Sequence, residues 1–86
     1  GGYRSTLTGG YRSTLTGGYR STLTGGDGST LTGGDGSTLT GGDDSELRIR
    51  YYDSRWRTAI AYVGENGIEA GVAYKLNDNH EFVRAN

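Results

Sequence analysis

GGYRSTLT stands at residues 1–8 and returns unchanged at 9–16 and 17–24. GGDGSTLT follows at 25–32 and 33–40, and GGDDSELR closes the run at 41–48. Six octads thus succeed one another without a slip of register, each with one Leu at its seventh position. Gly-rich low complexity is ordinarily the mark of a flexible linker. Unbroken register and fixed Leu spacing point instead to a structural repeat. The letter-for-letter identity of the first three octads suggests a recent duplication or an engineered consensus.

Read as a strand, S-T-L-T puts Ser5 and Leu7 on one face and Thr6 and Thr8 on the other. Leu must face inward, because only Leu gains by leaving water. Thr is a good strand former, so propensity agrees with pattern. The Gly-Gly pair before each strand is expected to supply positive-φ corners. Strand, corner, strand, corner makes a flat coil of two octads, giving three coils at 1–16, 17–32 and 33–48. Stacked in parallel, they place Leu7, Leu23 and Leu39 in one inner row and Leu15, Leu31 and Leu47 in the facing row. The repeat serines fill the remainder of a thin core.

Composition sets the limits. The chain has 86 residues, 17 of them Gly, with no Pro, Cys or Met, 31% apolar residues and a formal net charge of −1. A chain of that size buries only about 60–65% of its unfolded surface and is marginal without help. Without cysteine there is no disulfide, thiolate metal site or thiol redox chemistry. The near-neutral charge gives no electrostatic footprint for nucleic acid, and no apolar run approaches a membrane span. With no initiator Met and an opening in mid-repeat, the sequence reads as a piece of a longer protein, so targeting signals lie outside its reach.

The outward residues carry the functional reading. Thr6, Thr22 and Thr38 run beside Thr8, Thr24 and Thr40 on one face; Thr14 and Thr30 run beside Thr16 and Thr32 on the other. Residues two apart in a strand are about 6.6 Å apart, and neighbouring strands about 4.8 Å. Those spacings lie near repeats of the hexagonal ice lattice, and the restricted χ1 of Thr suits a regular grid of hydroxyls and methyls. A lone Thr-x-Thr says only that Thr suits an exposed strand; five copies in register point to ordered water. Glu46 and Arg48 replace the Thr pair in the sixth octad while Leu47 keeps the inner row.

Tyr3 and Tyr19 are expected to stack on one edge, with Tyr11 on the other, flanked by Arg4, Arg20 and Arg12. Stacked aromatics beside cations suit self-association as well as edge protection. Octads one to three carry +3; octads four to six carry Asp27, Asp35, Asp43, Asp44 and Glu46 against Arg48, or −4. A basic end and an acidic end favour head-to-tail contact. A rival reading is the calcium-binding glycine-rich β-roll of an extracellular adhesin. Its repeat has nine residues, however, and Thr30 and Thr38 stand where its second carboxylate belongs. One Asp per octad is poor provision for six to eight oxygen ligands.

After Arg48 the octad stops. LRIRYY (47–52) and RWRTAIAYV (55–63) alternate about a turn at Asp53-Ser54, with Trp56, Thr58, Ile60 and Tyr62 on one face. Gly64-Glu65-Asn66-Gly67 predicts a hairpin. IEAGVAYKL (68–76) follows as the next strand, then a turn at Asn77-Asp78-Asn79 and a short strand within His80–Arg84. The expected cap is an antiparallel meander over 49–86 holding most of the aromatic core. Such a cap would cover the unpaired edges and Leu-lined cross-section of an open coil.

The octad GGYRSTLT, the segment IRYYDSRWR and the hairpin VGENGIEA at Val63–Ala70 together resemble the carboxyl-terminal end of bacterial ice nucleation proteins. Their coils follow AGYGSTxT-AGxxSxLT and end in a short cap. The resemblance covers essentially the whole chain. It implies Thr-x-Thr ice-organising faces, a Tyr ladder used in self-association (Tyr3, Tyr11, Tyr19), and Arg-bearing coils that support multimer assembly (Arg4, Arg12, Arg20). It also implies a bacterial outer-membrane, cell-surface location, with membrane contact left to parts outside this sequence. The chain departs from the family in lacking Thr-Gln-Thr, in carrying Asp for Tyr from residue 27 onward, and in ending HEFVRAN.

No catalytic constellation stands out. His80 is the only histidine, and no repeat Ser has a His within its octad. Arg48, Arg50, Arg55 and Arg57 form a basic cluster beside Trp56, suited to an acidic partner or plain solubility. The sequence therefore predicts an all-β chain, a short parallel β-solenoid of 16-residue coils (1–48) capped by an antiparallel β meander (49–86). It predicts no enzyme, cofactor or metal. The expected partners are ice or ordered water and further copies of the chain through solenoid edges or ends, not nucleic acid. A monomeric antifreeze-type ice binder is the other ice-related reading.

Overall fold

The computed structural model describes residues 4, 6–65 and 67–85. These form nine strands and no helix, hence none long and apolar enough to cross a membrane. The octads supply β1 (Thr6–Thr8), β2 (Thr14–Thr16), β3 (Thr22–Thr24), β4 (Thr30–Gly33), β5 (Thr38–Thr40) and the start of β6 (Glu46–Tyr52). Then come β7 (Trp56–Tyr62), β8 (Ala73–Leu76) and β9 (Phe82–Arg84).

Alternate octads go to alternate sheets. One sheet has the order β1-β3-β5-β8-β9, the other β2-β4-β6-β7. Within the octads all pairing is parallel, with partners sixteen residues apart: Leu7 with Leu23, Leu23 with Leu39, Leu15 with Leu31, Leu31 with Leu47. Leu23, Leu31, Leu39 and Leu47 are fully buried and pack in one cluster with Ile49, Val63, Ile68 and Tyr74. Complete burial of each Leu is worth about 1.5–3 kcal/mol, the main term holding so thin a core.

The serines beside them are equally enclosed. Ser21, Ser29, Ser37 and Ser45 are at most 1% exposed. Ser37 Oγ donates to Gly18 O at 3.1 Å and accepts from Ser21 N at 3.2 Å. Ser45 Oγ donates to Gly26 O at 3.0 Å and accepts from Ser29 N at 3.3 Å. Each hydroxyl thus ties its octad to the one sixteen residues before, and no buried side-chain polar atom among the described residues lacks a partner.

The corners differ from the sequence expectation. The left-handed residue is the fourth of each octad, at φ 54–55° in Arg4, Arg12 and Arg20, 71° in Gly28, 80° in Gly36 and 60° in Asp44. No residue of the Gly-Gly pairs in octads two to six is among them. Gly9, Gly17, Gly25, Gly33 and Gly41, with the second glycines Gly26, Gly34 and Gly42, are small for a different reason, close approach. A Cβ on Gly17 would lie 2.6 Å from Ser21 Cβ, and one on Gly34 would lie 2.9 Å from the carbonyl carbon of Gly18. Contact therefore fixes glycine there, whereas the true corner accepts Arg and Asp at a cost in backbone strain.

The carboxyl-terminal strands also depart from a single meander. β6 and β7 form a hairpin that extends the second sheet, from Glu46–Tyr62 to Tyr52–Trp56. β8 pairs antiparallel with β5, and β9 with β8, extending the first sheet. The expected strand at 68–76 is reduced to Ala73–Leu76, and residues 63–65 and 67–72 lie on the crossing from one sheet to the other. Two stacked sheets present two open edges, and a one-sheet meander would satisfy only one. Gly64 N donates to Ile68 O at 2.8 Å, but the strands before and after, β7 and β8, lie in different sheets. Tyr74 pins the crossing: its hydroxyl accepts from Glu69 N at 2.8 Å and donates to Gly67 O.

Candidate functional site: the outer sheet faces

Strand alternation with Leu inward leaves the threonines outward. Register then fixes their columns: Thr6, Thr22, Thr38 and Thr8, Thr24, Thr40 on the first sheet; Thr14, Thr30 and Thr16, Thr32 on the second. Thr6, Thr8, Thr14, Thr16, Thr22 and Thr24 are exposed, whereas Thr30, Thr32, Thr38 and Thr40 are half-buried. All face outward as expected, and their exposure falls toward the carboxyl-terminal strands. On the first sheet the Thr columns meet β8, where Thr40 pairs with Ala73. On the second they end at Glu46 and Arg48, which pair with each other. The first face therefore carries three Thr pairs in register, the second two.

The turns make two further columns. Arg4 N donates to Tyr19 O at 2.8 Å and Arg20 N to Asp35 O at 3.0 Å; on the other side Arg12 N donates to Asp27 O at 2.8 Å. Tyr19 and Tyr11 thus lie in different columns, and Asp35 and Asp27 succeed them. Tyr3 lies outside the described residues, so the described columns hold one Tyr each. Arg12 sits 5.2 Å from the Tyr11 ring centroid and Arg20 the same distance from Tyr19, an in-turn cation–π pair in each case. Asp43 N donates to Asp27 Oδ1 at 2.9 Å, so at least one turn carboxylate is engaged within its own column. Among the described residues no group of three or more His, Cys, Asp or Glu is placed to hold a metal ion.

Trp56 is not in the core. It is 62% exposed and lies on the outer face of the second sheet with Tyr52, Thr58, Ile60 and Tyr62. Trp56, Thr58, Ile60 and Tyr62 share one face as the alternation predicts, but that face is exposed and is not the expected aromatic core. Leu47 and Ile49 take the inner face of β6, so their partners Ala61 and Ala59 face inward and Trp56 must face out. Among the described residues the buried aromatic is Tyr74, at 2% exposure. Arg50 lies 5.2 Å from the Trp56 centroid, and Tyr52 meets the same ring edge-on at 5.6 Å. Of the remaining basic cluster, Arg48 pairs with Glu46, and Arg57 approaches Asp53 at 3.9 Å in the open.

Of the expected cap residues, Gly64, Glu65 and Gly67 occupy the exposed crossing, and Asn66 lies outside the described residues. Sequence reasoning missed the stack of His80 on Tyr51, with centroids 3.9 Å apart and planes 7° apart. It joins the two carboxyl-terminal hairpins, and no local signal announces it because the partners are far apart in sequence.

The chain is similar to the uncharacterized protein YdhT of Escherichia coli (strain K12), with 53% identity over 36 residues, 41% of this chain. The match spans 13% of that relative's length. No protein-family model and no solved structure matches the chain.

Proposed function

We propose that the octads wind as a short parallel β-solenoid whose Thr-bearing faces bind ice and order water, and that the carboxyl-terminal hairpins close the stack. The supporting observation is the in-register pairing of Thr6, Thr22 and Thr38 beside Thr8, Thr24 and Thr40. Parallel pairing repeats each side chain at about 4.8 Å, and strand alternation sets the columns about 6.6 Å apart. χ1 restriction keeps the hydroxyl and methyl of each Thr in one arrangement. Water ordered on that grid lowers the interfacial free energy of an ice embryo, with no covalent chemistry.

Three layers give a template only about 14 Å deep, so the 86-residue chain by itself is expected to hold ice better than it seeds it. Assembly into larger arrays through edges or ends supplies the missing area. The first sheet, with one more Thr pair, is the stronger face. Replacing Thr6, Thr8, Thr22 and Thr24 with Lys tests this. The variant is expected to be excluded from a growing ice front that takes up the parent chain, while the matching change at Thr14, Thr16, Thr30 and Thr32 costs less. Equal uptake of parent and quadruple variant rules the reading out.

A further inference from the structure

We propose that a groove on the outer face of the second sheet binds a neutral pyranose unit of an oligosaccharide. This does not rest on the ice reading, because its principal groups lie outside the Thr columns of the first sheet. The groove has a volume of about 270 Å³, at the small end of ligand sites and suited to one sugar ring. Tyr19, from the turn before β3, and Trp56, from β7, both line it. Such aromatic walls present flat apolar surfaces to the C–H faces of a pyranose.

The Trp56 wall is held in place. Arg50 covers the indole at 5.2 Å and Tyr52 braces it edge-on at 5.6 Å and 81°. Trp56 as a residue is nevertheless 62% exposed, an unusual amount for the largest apolar side chain of a small protein. An ordered yet exposed aromatic loses little entropy when a ligand covers it.

Polar groups at the rim match a sugar better than an ion. The groove is bordered by Arg50 and Asp35, one charge of each sign, with the Thr16 and Thr32 hydroxyls beside them. The lining thus carries both signs of charge, with Arg20 over the Tyr19 ring, and offers neither a phosphate nor a cation a wall of one sign. Donor, acceptor and hydroxyls together suit a ring of alternating hydroxyls. The pairs Gly17-Gly18 and Gly33-Gly34 line the groove between the aromatic walls, bringing backbone polar groups to its surface.

Trp56 is the only tryptophan, so its fluorescence reports this groove alone. Titrating the chain with cellotetraose, maltotetraose, mannotetraose and chitotetraose is expected to give a saturable change with at least one, with Kd about 1 mM. The amide resonances of Gly17, Gly18, Gly33 and Gly34 should move together in the same titration. Trp56→Ala, read by those amides, is expected to weaken binding at least tenfold, about 1.4 kcal/mol. Trp56→Phe, which keeps an aromatic face, should retain part of it and guards against misfolding of the alanine variant. Asp35→Asn should weaken binding about fivefold. No saturable change with any of the four sugars overturns the proposal. So does an equal response to glycerol, undiminished binding by Trp56→Ala, or an indole signal that follows protein concentration without sugar, which would mean that a second copy covers the groove.

Discussion

Removing one buried hydroxyl should reveal how much the serine column contributes. Ser45 is fully buried, donates to Gly26 O at 3.0 Å and accepts from Ser29 N at 3.3 Å. In Ser45→Ala the Gly26 carbonyl keeps a second bond, from Gly42 N at 3.3 Å. The Ser29 amide, 1% exposed as a residue, loses the acceptor that Ser45 supplied. Two bonds at about 1 kcal/mol each, plus part of the desolvation cost of one orphaned donor, give a loss of about 2–3 kcal/mol. A domain of this length has only about 4–13 kcal/mol in hand. Thermal unfolding by circular dichroism should therefore show a midpoint lower by about 8–24 °C. The control is Thr22→Ala, an exposed change expected within about 0.5 kcal/mol of the parent. If Ser45→Ala and Thr22→Ala unfold together, the hydroxyl column contributes nothing and the leucines alone hold the octads.

Gly34→Ala should destabilise by about 1–3 kcal/mol, because its Cβ would lie 2.9 Å from the Gly18 carbonyl carbon and 3.0 Å from Tyr19 N, both backbone atoms. Gly10→Ala meets nothing within 4 Å and should be nearly neutral; paired urea titrations separate the two. Tyr74→Phe removes the hydroxyl that joins Gly67 and Glu69 to the core, for a loss of about 1–2 kcal/mol. Hydrogen exchange in that variant should quicken across residues 63–72 ahead of the octad amides, and uniform quickening would contradict the anchoring role.

The octads were the legible part. A period of eight with one Leu per unit left strand alternation a single apolar solution, so the inner Leu rows and outer Thr columns follow from residues alone. The glycines were misread because two causes, positive φ and close approach, leave the same letter in a sequence. Arg20 in the left-handed state shows that the corner was elsewhere. The carboxyl-terminal half was less legible for a physical reason. In WRTAIAY the larger side chains make one face look like the core, while the neighbouring strand decides which face turns inward. Leu47 and Ile49 outweighed Trp56. Likewise Asn66-Gly67 indicates a reversal of the chain but not which sheet receives the next strand. The sugar-sized groove combines residues of several octads with Arg50 and Trp56, a neighbourhood that no single window of sequence contains.

The change from parallel to antiparallel pairing at β7 and β8 gives the molecule a head and a tail. Strands β6 and β5 have committed their outer edges to reversed partners, so a further parallel octad has no seat on that side. At the opposite margin β1 and β2 keep the parallel geometry in which the next repeat would lie. A designer lengthening this protein should therefore add units ahead of β1, one sheet gaining a rung at a time, while the closed end and its sole tryptophan remain blind to the count.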